Sequence, residues 1–163
     1  MSRDVRAFDY VNHSYDRVRE ALLTHADEIL RSATQAAESR AHDVAAGLRV
    51  NIAGLEIGAE IAIAIAEIDE DQGTLRSERR TRMSVAWEAA QNPRLFPEMK
   101  GTLSVYPLTS KETQLDFAGT YEPPLGPLGS AIDAAVGHRI AESSIHRFVT
   151  DVAAYLRRNL ADR

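Results

Sequence analysis

The chain has 163 residues, 44% hydrophobic and 26% charged, an ordinary globular balance that suits one domain spanning residues 1–163. A formal charge of -5 disfavours a nucleic-acid surface, and no apolar run is long enough to cross a bilayer. With no cysteine there are no disulfides, no thiolate catalysis and no cysteine-based zinc site.

The opening "MSRDVRAFDY" lacks the apolar core of a secretory signal, so a cytoplasmic location is expected. "DVRAFDYVNH" alternates Val5, Ala7 and Tyr10/Val11 with polar neighbours and predicts a short strand. Ser14 is placed to cap a short helix in which Tyr15, Val18, Leu22 and Leu23 fall at helical spacing, with Asp16 in the first turn where the helix dipole favours it. A second helix starts between Thr24 and Asp27 and carries Ile29, Leu30, Ala33, Ala37, Ala41, Val44 and Ala45 to a stop at Gly47. Its alanines permit close approach to whatever it covers.

From Leu48 the hydrophobic period drops from about 3.6 to about 2, the mark of a change from helix to sheet. An antiparallel meander of about six strands is predicted to run from there to Tyr121. "LRVNI" comes first, and "GLEIGAEIAIAIAEID" follows with Ile61, Ile63 and Ile65 alternating against Ala62, Ala64 and Ala66. A charged turn surrounds Gly73, and the basic run "RSERRTR" from Arg76 to Arg82 reads as a hairpin tip. "TRMSVAWEA" has the two-faced pattern of a half-buried strand. Pro93 and Pro97 interrupt the next connection, and "KGTLSVYPL" and "ETQLDFAGTY" supply the last two strands around a turn at Ser110 and Lys111. Leu115, Phe117, Gly119 and Tyr121 share one face of the final strand.

"GTYEPPLGPLGS", residues 119–130, joins that strand to a long helix over about 129–159. It lacks the Lys-Ser/Thr pair of a Walker loop and the G-x-G-x-x-G spacing, and it follows an antiparallel strand, so a turn and pocket rim is the preferred reading over a phosphate loop. On the long helix one face runs from the small residues Ala134, Gly137 and Ala141, with His138 beside them, to large ones (Ile145, Phe148, Val149, Val152, Tyr155, Leu156). Ile132, Val136, Ile140 and Ser143 lie nearly opposite and need a separate cover: the second helix, a loop or a second subunit, which leaves a homodimer open.

The frame "TQLDFAGTYEPPLGPLGSAIDAAVGHRIAESSIHRFVTDVAAYL", with its T-x-L-x-F-x-G-x-Y-x-P-P entry, its Gly/Pro joint and Asp133 in the first turns of the terminal helix, resembles the START-like (SRPBCC) superfamily. That group includes polyketide cyclase/dehydrase-type proteins. "FDYVNHSYDRVREAL" is similar to the superfamily's first strand and helix. The resemblance implies an α+β helix-grip fold, with a curved antiparallel sheet of usually about seven strands wrapped around the C-terminal helix. It also implies a small apolar ligand, lipid or polyketide-like, held between the two, with no cofactor. The chain departs from the pattern in its strand count and in its long alanine-rich second helix.

The residues expected to bound such a cavity are Trp87, Tyr106, Phe117 and Tyr121 from the strands and Ala134, His138 and Ala141 from the helix. His138 and Glu142, one turn apart, are the candidates for acid–base chemistry, against the simpler reading of a structural ion pair. The histidines show no metal spacing: His138 and His146 are two turns apart, about 12 Å. No Ser-His-Asp series or carboxylate pair is present.

Overall fold

A computed structural model describes residues 2–47, 61–75, 78–89, 98–122 and 134–161. Strand β1 (Arg3–Val11) leads into helix α1 (Tyr15–Thr24) and helix α2 (Ala26–Gly47). Strands β2 (Ile61–Asp71), β3 (Arg80–Ala89), β4 (Glu98–Pro107) and β5 (Thr113–Glu122) follow, and helix α3 (Ala134–Leu160) closes the chain. The fold class is α+β, as read from the sequence. The expected strand "LRVNI" and the proline-rich part of the joint lie outside the described residues.

The described strands form one antiparallel sheet in the order β1-β5-β4-β3-β2. Sequential strands pair from β2 to β5, as short connections favour, and β1 closes on β5. A register shift between Ile65 and Glu67 bends β2 out of strict alternation. Elsewhere the period-2 pattern holds: Val5, Ala7 and Val11 on β1, Met83, Val85 and Trp87 on β3, Leu103 and Val105 on β4, and Leu115, Phe117 and Tyr121 on β5 are all buried.

Helix α3 lies on that inner face and buries Ala141, Ile145, Phe148, Val149, Val152, Ala153, Leu156 and Leu160. Helix α2 runs beside it. Glu28 faces Tyr155 and Ser32 donates to Asp151 at 3.3 Å, so the two helices are antiparallel. Ile29, Leu30 and Ala33 of α2 are fully buried in the same core. Each large apolar side chain so enclosed contributes roughly 1.5–3 kcal/mol relative to exposure. The second helix thus supplies a cover for one flank of α3. Of the face opposite the core, Ile140 is half-buried, and Ile132 lies outside the described residues.

Helix α1 is tied to the sheet by polar contacts. The Tyr15 hydroxyl and Thr81 Oγ1 are 2.6 Å apart in the interior, and Arg19 makes a two-pronged pair with Glu70 at 2.5 and 2.7 Å. Ser14 precedes α1 with extended backbone but caps through its carbonyl, which accepts from Val18 N, and makes no side-chain cap bond. The described arginines of the basic run are each engaged. Arg79 pairs with Asp16 at 2.7 Å, Arg82 pairs with Asp69 at 3.1 Å, and Arg80 lies 4.6 Å over the Tyr106 ring. The charged-hairpin reading accounts for these three.

Candidate functional site

The register arranges the inner face in rows. Arg3, Tyr121, Met99 and Trp87 stand opposite one another in the row nearest the start of α3. The next row is Val5, Gly119, Gly101, Val85 and Ile65, and the third is Ala7, Phe117, Leu103, Met83 and Ile68. Two paired glycines therefore occupy the middle of the second row. Phe117 takes the space they leave: a Cβ built on Gly101 would come 2.2 Å from Phe117 Cζ, and one on Gly119 would come 3.1 Å from Phe117 Cε1. Glycine is required at 101 by this close approach.

Phe117 belongs to an aromatic triad. Its ring centroid lies 5.4 Å from that of Trp87 and 6.0 Å from that of Phe148, and Trp87 meets Phe148 edge-on at 4.9 Å. Such tilted and T-shaped contacts are favoured by the ring quadrupoles. The Trp87 indole N–H donates to Thr34 Oγ1 at 2.9 Å, and the Thr34 hydroxyl donates to Leu30 O at 2.7 Å. Trp87 and Phe117 are thus mutual packing partners at the centre of the sheet–helix interface, with the polar edge of Trp87 satisfied by α2.

The row end is different in character. Tyr121 is only 2% exposed, yet its hydroxyl has no hydrogen-bond partner among the described residues. Burial pushes the phenol pKa above its ordinary value and Glu142 adds to the rise, while Arg3 across the β1–β5 ladder opposes it by its charge and its approach to the hydroxyl. The His138 ring lies nearly parallel to that of Tyr121, 25° between planes and 6.2 Å between centroids. His138 Nε2 is 3.2 Å from Glu142 Oε1, while its buried Nδ1 has no partner among the described residues. Ala141 is buried on the turn of α3 between them in sequence.

The structure thus brings Tyr121, His138, Ala141 and Glu142 to one end of the sheet–helix interface, with Trp87 and Phe117 packed further in. Ala134 is the first residue of α3, and its side-chain surroundings lie outside the described residues. Tyr106 corrects the expectation: it points to the outer face, under the Arg80 guanidinium, because Leu103 and Val105 fix the inward phase of β4. It cannot share a space with the inward residues. Sequence reasoning overlooked Arg3 and Met99, both opposite Tyr121 in the register, as well as Phe148 and Thr34. The signal for Thr34 was a hydroxyl inside the Ile29, Leu30, Ala33, Ala37 stripe.

Among the described residues no three metal-ligating side chains converge, and no helix is long and apolar enough to cross a membrane.

No protein-family model matches the chain, and no curated protein matches it. Solved structures do. A hypothetical protein from Helicobacter pylori superposes with a TM-score of 0.50 at 8% identity, over 95% of this chain and 88% of that one. A conserved protein from Geobacillus kaustophilus gives 0.49 at 13% identity, over 98% and 97%. The Zhui aromatase/cyclase from Streptomyces sp. R1128 gives 0.48 at 15% identity, over 98% and 96%. At these identities the likeness is one of fold alone: an antiparallel sheet with a long C-terminal helix packed on its inner face.

Proposed function

We propose that this protein binds a small hydrophobic molecule, lipid or polyketide-like, at the end of the sheet–helix interface where α3 begins. The observation that carries the reading is the Tyr121 hydroxyl, buried and unpartnered among the described residues on the inner face of β5. A buried hydroxyl without a partner costs about 1–3 kcal/mol, a cost that a ligand's polar group would remove. The second orphaned atom, Nδ1 of His138, stands at the same end. The apolar part of the ligand would meet Met99, Ala141 and the Trp87 edge of the aromatic triad, which limits it to the outer part of the interface.

A catalytic version of this reading uses the same atoms. Glu142 holds one nitrogen of His138 and leaves the other turned inward, the arrangement a general base needs to take a proton from a bound C–H or O–H group. It makes the protein a cyclase- or dehydratase-like enzyme, and turnover of a bound polyketide-like ketone would separate it from simple binding.

A titration with small apolar compounds, followed by amide and methyl NMR shifts, tests the proposal. Shifts clustered on Gly119, Tyr121, His138 and Ala141 are expected. Shifts on the outer face around Phe8 and Tyr10, or none with any compound, contradict it.

A further inference from the structure

The polar end of the ligand follows from the valences left open at the site, an inference that rests on the binding reading above. Glu142 Oε1 lies 3.2 Å from Nε2 of His138, so the carboxylate holds the ring proton on that nitrogen. In the neutral imidazole Nδ1 then offers only a lone pair, and Nδ1 is the atom buried without a partner among the described residues. Tyr121 has the opposite need. Its neighbour Arg3 carries donors and no acceptor, so whatever its approach does for the phenol oxygen, the phenol proton still lacks an acceptor.

One open acceptor and one open donor therefore stand on two near-parallel rings 6.2 Å apart, centroid to centroid. We infer that the site takes an uncharged ligand ending in a hydroxyl group, which donates to Nδ1 of His138 and accepts from the hydroxyl of Tyr121. A ketone or ether satisfies Tyr121 alone. A carboxylate has no proton for Nδ1 and brings a second negative charge toward Glu142. An amine is protonated at neutral pH, and its ammonium offers donors to His138 but no lone pair to the phenol proton. A hydroxyl group carries both functions on one small atom.

Three probes test this on each of two ten-carbon skeletons: 1-decanol, 1-methoxydecane and decanoate, and the corresponding alcohol, methyl ether and carboxylate of decalin. All are transparent where tryptophan absorbs. Trp87, the chain's single tryptophan, stands in the same row as Tyr121 and reports their binding by fluorescence. On at least one skeleton the alcohol is expected to bind about tenfold or more tighter than both ether and carboxylate, since each rival leaves a buried group unmatched. His138→Ala should close the gap between alcohol and ether, whereas Tyr121→Phe should weaken both and leave the gap. Equal affinities for alcohol and ether, or a tighter carboxylate, overturn the hydroxyl assignment while binding itself stands. Failure of all six probes to bind removes the binding reading and this inference with it.

Discussion

Replacing Tyr121 with phenylalanine removes one oxygen from the interior, and the structure gives the sign of the effect. The ring keeps its place opposite Arg3 and Met99 in the register, so little packing is lost. The hydroxyl that disappears is buried and has no hydrogen-bond partner among the described residues. Leaving such a group unsatisfied costs about 1–3 kcal/mol, and losing the electrostatic approach of Arg3 offsets part of the gain. The ligand-free Tyr121→Phe protein should therefore be more stable than the wild type by about 1 kcal/mol, or about 2–4 °C in Tm for a domain of this size. Urea unfolding followed by Trp87 fluorescence and by circular dichroism measures it, with an unchanged m-value as the control for a like denatured state. The same variant should bind 1-decanol more weakly, so function and stability move in opposite directions. A loss of about 1 kcal/mol or more on substitution would refute the reasoning, because it would mean that the hydroxyl is satisfied in the folded protein.

Other substitutions test the packing around the site. Gly101→Ala puts a Cβ 2.2 Å from Phe117 Cζ and 3.0 Å from the Ala118 carbonyl oxygen, so it should destabilise by about 1–3 kcal/mol in the same unfolding assay. Thr34→Val strips the Trp87 indole of its acceptor, which should cost about 1–3 kcal/mol and shift the tryptophan emission, while Thr34→Ser preserves both. The hydrogen bond from Arg19 holds the Glu70 carboxyl below its ordinary pKa. That pair's contribution to stability is present above the unfolded carboxylate pKa of about 4.3 and is lost as the pH falls through the lower folded value. Unfolding at stepped pH should show the wild type's advantage over Glu70→Gln shrinking across that acid range and constant above it.

Local periodicity made the elements legible. The run from Ile29 to Gly47 repeats like a helix, and "TRMSVAWEA" and "ETQLDFAGTY" alternate so strictly that their inward residues could be named. The inward phase of Leu103 and Val105 also placed Tyr106 outside, but an aromatic side chain directly after them drew the opposite reading. What stayed hidden depends on long-range register. That Gly101 and Gly119 pair, and that Phe117 lies over both, needs the β4–β5 alignment. That Arg3 faces Tyr121 needs the β1–β5 alignment across more than a hundred residues of chain. His138 and Glu142 were recognised together because four residues along a helix bring side chains to one face, a local rule that holds at 3.2 Å here. The burial of Nδ1 and of the Tyr121 hydroxyl arises from tertiary packing alone.

The most direct test of the account is a high-resolution electron-density map of the protein saturated with 1-decanol, read between β5 and α3. The account predicts the alcohol oxygen within about 3 Å of both the Tyr121 hydroxyl and Nδ1 of His138, with its chain running toward Met99 and Trp87. A map in which the protein's own atoms occupy those two hydrogen-bonding positions, with the alcohol elsewhere, would contradict it.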